Sequence, residues 1–363
     1  MPVDYKISGT KSATARIITV KESDWSVEDN TVVSGSGAYE ITGLASGAKT
    51  MLARSSEGEM FGYGGVTPTE VVTAGDRGVW GGGWNGLASN VIDYVTISTT
   101  ADATDFGDRT TIGDTVGAAS NGANDRGVFA GGVNMPVAKV IDYITISSTG
   151  NATDFGDLIQ NLYYATGASN GTNDRAVFAG DVEDNTIEYI TISSTGNATD
   201  FGDLTVGRYR PSATSNGTNN RGVFAGGHDG AYTNVIDYIT ISSTGDASNF
   251  GDLTLARQLP GAASNGTNNR GVFAGGHDGS QTNVIEYITI SSTSDAIDFG
   301  DLTVELQGKG GTSNGTNERG VFGGGASGYS NVIDYITISS TGNAINFGDL
   351  TVARYALEAT SNA

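Results

Sequence analysis

The tripeptide Phe-Gly-Asp begins at residues 106, 155, 201, 250, 299 and 347, and a second marker, Arg-Gly-Val or Arg-Ala-Val, begins at 77, 126, 175, 221, 270 and 319. The same unit therefore returns every 46 to 49 residues, six times in register. Periods of roughly 40–50 residues with several short strands per unit read as the blades of a β-propeller. This periodicity limits the chain to an all-β ring more strongly than any other feature it carries.

One unit parses into four strands, over 212–216, 221–226, 235–242 and around 250–254, here called a, b, c and d. Ile, Val, Tyr and Phe fill the strand segments, and Asn-Gly or Gly-Gly pairs supply turn residues with positive φ between them. Gly is 55 of 363 residues, about twice the usual share, with no Gly-X-Y period, which excludes collagen. No segment sustains a 3.6-residue hydrophobic period, so helices are expected to be nearly absent.

The chain ends in "LEATSNA", a strand a without its own strand b. That spare strand is expected to pair with strand b near residues 77–82 and so remove the open sheet edges of the ring. Six blades follow. A seventh is the alternative, because "EMFGYGG" at 59–65 resembles strand b, but no strands c and d follow it.

The double glycine ending strand b (Gly226–Gly227, Gly275–Gly276), the aromatic in strand c (Tyr238, Tyr287) and the aromatic-x-x-Leu of strand d together resemble the kelch type of propeller. The unit departs from that type where Phe replaces the strand-d Trp and where Asp181 replaces the second glycine of the third copy. The variant "DYITISSTGNATDFGDLT" is also similar to arrays in structural proteins of marine tailed bacteriophages. That resemblance implies a virion protein, made in the host cytoplasm without a signal peptide. Residues 1–66 do not fit the repeat. Their "GSGAYEITGL" resembles the small immunoglobulin-like or prealbumin-like β-sandwich related to the carboxypeptidase regulatory domain, here an attachment domain. Residues 67–75 form the linker and 76–363 the propeller.

The formal net charge is −21, from 40 acidic and 19 basic residues, and no basic run exists. Nucleic acid and anionic membranes are therefore poor partners. Cysteine is absent, which excludes disulfides and thiolate metal sites. No apolar run approaches the ~18 residues of a membrane span, so no membrane insertion is expected.

The motifs that look like catalytic or metal sites read as structural. "DFG" is also the magnesium motif of kinases, but it recurs blade after blade without a phosphate loop. His228 and His277 share one place in adjacent blades and read as loop residues, not a metal pair. The Asn-rich turns lack the dense Asp spacing of a calcium loop. One acid per blade (Asp93, Asp142, Glu188, Asp237, Glu286, Asp334) accompanies the marker arginine of strand b, and these are expected to pair, as in Arg221 with Asp237. No nucleophile, base and orienter can be nominated, and no cofactor or metal is expected.

Alternating strands put the a–b and c–d turns on one face of the disc and the b–c and d–a connections on the other. The first set barely changes between copies, whereas the second set changes strongly. The changing loops hold Trp84, Tyr163, Tyr164, Arg208, Tyr209, Arg210, His228, Tyr232, Arg257, His277, Tyr329, Arg354 and Tyr355, residue types that dominate recognition surfaces. The expectation is a non-enzymatic tail-fibre, tail-tip or decorating protein. Its propeller face would contact a host surface glycan or protein, its N-terminal domain other virion proteins, and further copies of the chain are candidate partners. A non-viral kelch-like interaction scaffold is the alternative, and a polysaccharide-active enzyme a third reading. The bland account of the loops is unconstrained drift.

Overall fold

The computed structural model describes residues 76–363 except 134–138, 182–183 and 327. The β-sandwich expected over 1–66 and the linker expected over 67–75 lie outside the described residues. The chain divides into two compact units, Met1–Thr73 and Ala74–Ala363.

The second unit is six four-stranded antiparallel sheets, each ordered a-b-c-d from the axis outward. Blade 4 is representative, with strand a at Ser212–Ser215, b at Arg221–Ala225, c at Val235–Thr240 and d at Ser248–Asp252. The ring closes where the sequence places it. Strand a of blade 1 is the C-terminal Glu358–Ser361, paired with strand b at Arg77–Gly81 in the register Ala359↔Trp80 and Thr360↔Val79. The fold is a six-bladed β-propeller.

Six apolar clusters hold the blades to one another, each shared between neighbours. In one, Val223, Ala225, Ile236 and Phe250 of blade 4 meet Phe273, Ile288 and Ile290 of blade 5. The closing junction is packed differently. Strand b of blade 1 carries Trp80 where the other blades carry Phe, and Trp80 is fully buried. Its indole N–H donates to the Gly310 carbonyl at 2.9 Å. A Cβ at Gly310 or Gly323 would lie 2.9 Å from the Trp80 ring, so blade 6 makes room by omitting side chains there.

The Phe-Gly-Asp marker is explained residue by residue. Phe250 is buried and meets Tyr238 edge-on at 6.1 Å. Gly251, at φ +150, sits where the c–d register shifts, and a Cβ there would be 2.5 Å from the Ser294 carbonyl of the next blade. Only glycine fits such a bulge and approach. The Asp252 N–H donates to the Asp295 side chain in the c–d turn of that next blade at 3.1 Å. Equivalent bonds run round the whole rim, from Asp108 to Asn151 and on to Asp349 with Asp102.

The expected pairing of Arg221 with Asp237 is wrong. Across the b–c ladder Arg221 faces Thr240 and Asp237 faces Phe224, so three register steps separate the two side chains and put them on opposite faces of the blade. Arg221 instead lies over the Tyr238 ring at 4.4 Å and donates to the Ile290 carbonyl of the next blade at 3.1 Å. Arg77, Arg126, Arg175, Arg270 and Arg319 do the same in their own blades.

The uniform face also has a structural task. The a–b turns hold an asparagine whose Oδ1 accepts the N–H of the marker arginine five residues on, as Asn216 does from Arg221 at 2.8 Å. Its Nδ2 donates to the last residue of the next blade's a–b turn. These bonds link Asn121 to Asp174, Asn170 to Asn220, Asn216 to Asn269, Asn265 to Glu318, Asn314 to Asp76 and Asn362 to Asp125. Five of the six acceptors follow a short 3-10 turn, and all five have a left-handed backbone with φ near +70°. Six such links close a circle, and the last is made by the C-terminal segment.

Removing residues 355–363 therefore takes away strand a of blade 1 and one link of this circle together. We expect the truncated protein to melt well below the full chain and to aggregate through the freed edge at Arg77–Gly81. Thermal unfolding and size-exclusion chromatography of the two proteins check this, and unchanged melting and solubility would contradict it.

Candidate functional site

The acid on strand c is fully buried in all six blades. A buried carboxylate needs a compensating charge or several donors. Its partner comes from the d–a connection leading into the blade. Arg208 reaches Asp237 at 2.8 Å, Arg257 reaches Glu286 at 3.3 Å and Arg354 reaches Asp93 at 2.6 Å, with both side chains of each pair fully buried. Each of these arginines also donates to a strand-b carbonyl, Phe224, Phe273 or Trp80. A threonine three residues earlier adds a hydroxyl, as Thr205 does to Asp237 at 2.6 Å.

Two junctions reach the same pairing from other backbone positions. Blade 2 receives Arg109, which stands where Leu204 stands elsewhere and meets Asp142 at 3.2 Å. Blade 6 receives Lys309, three residues beyond a leucine at the usual arginine position, and it meets Asp334 at 3.1 Å. Burial pulls Arg257, Lys309 and Arg354 below their ordinary pKa values, and the facing carboxylates offset part of that.

Blade 3 departs from the pattern. Leu162 replaces the arginine, Ile159 replaces the threonine, and among the described residues Glu188 accepts from the N–H groups of Ile159 at 2.7 Å and Gln160 at 3.2 Å. Burial raises the Glu188 carboxyl, and those two bonds and the nearby Lys139 charge counteract it in part.

Arg208, Arg257 and Arg354 therefore belong to the interior of the ring and not to its surface. The remaining residues singled out from the sequence stay on the diversified face, where each d–a connection meets the b–c loop of the blade it leads into. Backbone bridges join Trp84 to Tyr355, Tyr209 to His228 and Gln258 to His277. Tyr329 is 42 % exposed, and Trp84, Tyr163, Tyr164, Tyr209, Arg210, His228, Tyr232, His277 and Tyr355 are half-buried.

Their rings form two groups. Tyr164 and Tyr209 lie 5.3 Å apart, Tyr209 and His228 5.0 Å, His228 and Tyr232 5.2 Å, and Tyr232 and His277 5.4 Å, a continuous ladder. Tyr329 and Tyr355 stack separately at 6.1 Å. The Tyr163 hydroxyl accepts from Asn161 at 3.2 Å and its carbonyl from Thr115 at 2.9 Å.

Arg210 lies beside the start of the ladder, its guanidinium 4.6 Å from the Tyr164 ring centre and 5.5 Å from that of Tyr209. It is bound to no strand-c carboxylate. Its backbone is left-handed, φ 59°, as are those of Thr115, Leu259, Gly308 and Ala356 at the same place in other connections. A collar of backbone bonds around the axis holds this conformation: Leu259 N–H to Arg210, Gly308 to Leu259, Ala356 to Gly308 and Thr115 to Ala356. Left-handed non-glycine residues cost roughly 1–3 kcal/mol and persist only where surroundings fix them. Burial raises the Asp114 carboxyl, opposed by the Thr115 hydroxyl and by Arg210. Burial and the Asp114 charge raise Tyr355.

The axial channel is a cavity of about 350 Å³, lined by Gly, Ala, Ser and Thr of the six inner strands. Glu358 is the one carboxylate of its strand walls. Burial pushes that carboxyl up to about 8, although the channel gives solvent access to part of the residue. Among the described residues no group of three or more His, Cys, Asp or Glu is arranged to hold a metal ion.

No protein-family profile and no curated protein sequence matches the chain. Among solved structures it is similar to the one titled "Structure of YjhT", with a TM-score of 0.54, 10 % identity, and coverage of 69 % of this chain and 88 % of that one. At that identity the likeness concerns the fold alone. It supports the six-bladed β-propeller fold.

Two outcomes check the electrostatics. Arg208→Met and Asp237→Asn should each destabilise by about 3–5 kcal/mol, and the double mutant by much less than their sum. The carboxyls of Glu188 and Glu358 titrate higher folded than unfolded. Their favourable contribution is complete below the ordinary value of 4.5 and is lost as pH rises through the folded values. Glu188→Gln and Glu358→Gln should therefore raise stability at pH 8 relative to the parent and flatten its decline above pH 5. Chemical denaturation at both pH values measures it.

Proposed function

We propose that this chain is a non-enzymatic binding protein whose diversified propeller face takes a host surface glycan or protein. The setting is a tailed-phage virion, in which the protein serves as a tail-fibre, tail-tip or decorating component and docks on other virion proteins through its N-terminal region. One observation carries the reading. The uniform turns are committed to the asparagine circle and the rim bonds, whereas the side chains of the ladder, the Tyr329–Tyr355 stack and Arg210 take no part in either set of bonds. Half-buried aromatics flanking an arginine supply contact area with little loss of conformational freedom on binding.

Replacing Tyr164, Tyr209 and Arg210 together by Ala should lower adsorption to susceptible cells about tenfold or more and leave melting nearly unchanged. The matched control is Thr218→Ala with Thr267→Ala, at exposed tips of the uniform face, which should bind as the parent does. A pull-down with whole cells reads both. Loss of binding in the control and not in the triple mutant would reverse the assignment of faces.

A further inference from the structure

Resting on that reading, we propose that the ligand is a linear, uncharged polysaccharide strand laid along the ladder Tyr164–Tyr209–His228–Tyr232–His277. These rings come from successive loops: the d–a connections into blades 3 and 4, then the b–c loops of blades 4 and 5. The ladder thus follows the ring from blade to blade and does not cross the axis. A ligand using all of it is extended and repetitive.

The rings change attitude along the row. Tyr164, Tyr209 and His228 are tilted to one another by 38° and 35°, whereas Tyr232 stands at 89° to His228 and 61° to His277. Each of these five residues is half-buried, so each keeps accessible surface on which the C–H groups and hydroxyls of a sugar can pack. The Nδ1 atoms of His228 and His277 accept the backbone N–H groups of Gly230 at 3.1 Å and Gly279 at 3.3 Å. In each neutral imidazole the remaining proton is therefore on Nε2, a donor suited to a hydroxyl or ring oxygen.

Two further observations choose the class. The cavity inside the axial collar, which Tyr164 and Arg210 reach beside Leu259 and Ala356, has a volume of only about 20 Å³. That is the scale of a single water, so this cavity takes no sugar unit, and a strand on the half-buried rings gains its affinity over many shallow contacts. The net charge of −21 repels a polyanion, and Arg210, its guanidinium over two tyrosine rings and near Asp114, is one charge against that field.

The full chain should be applied to an array of size-graded oligosaccharides cut from neutral glucans, galactans and mannans, beside an acidic series. One neutral linear series should give no signal as the disaccharide and a signal rising through the pentasaccharide. Tyr209→Ala, Tyr232→Ala and His228→Asn should each reduce it about tenfold, the asparagine keeping an acceptor for the Gly230 N–H. Thr218→Ala with Thr267→Ala, on the uniform face, should leave it unchanged. Binding to no neutral series, to the acidic series alone, or equally to disaccharide and pentasaccharide would overturn the proposal. If cell adsorption still depended on the diversified face, the function proposed above would survive that failure. If adsorption ignored every variant of that face, both would fall.

Discussion

A fully buried carboxylate on strand c is the constraint from which much of this ring follows. Six of them sit at zero exposure, one per blade. Leaving such a group uncompensated costs several kcal/mol, so something must reach it. In five blades it is the cation of the incoming d–a connection, and the place of that cation fixes the path of the connection. Its backbone then turns left-handed at Thr115, Arg210, Leu259 and Ala356 and joins the axial collar. The side chains of the diversified face stand on that path. Arg109 and Lys309 underline which property is kept: the charge persists while its backbone position moves.

The two faces of the disc divide the remaining work. On one, the asparagine circle and the marker arginines tie each blade to the next through side chain to side chain and side chain to carbonyl bonds. A substitution in those turns disturbs two blades at once, which is a physical reason for their sameness. On the other face the pairs lie beneath the surface, and the residues above them are free to differ. Diversity there follows from where the structural bonds are, whatever the ligand.

Much of this was legible in the sequence. The period gave the blade, the glycine pairs the turns, and the orphan "LEATSNA" the closing strand. The pairing of charges was misread because repetition alone cannot tell which of two repeated cations meets a repeated acid. The parity of the strands could have decided it, since Arg221 and Asp237 fall on opposite faces once Val223 is set opposite Tyr238. The same oversight put Arg208, Arg257 and Arg354 among surface candidates. Their recurrence after "DLTVG", "DLTLA" and "DLTVA" is the regularity that marks a structural residue here. The relocated Arg109 and Lys309, the Leu162 exception and the aromatic ladder could not be read from spacing, because they depend on how connections from neighbouring blades meet in space.

The central claim is that ring closure and recognition use different side chains, with recognition confined to the diversified face. A single-substitution scan of the connections of all six blades, scored in parallel for folded yield and for adsorption to susceptible cells, tests it most directly. The account predicts that positions affecting yield gather at the asparagine circle, the marker arginines and the buried pairs. Positions affecting adsorption without affecting yield should gather at Tyr164, Tyr209, Arg210, His228, Tyr232 and His277. Adsorption-specific positions spread evenly over both faces, or concentrated in the a–b turns, would contradict it.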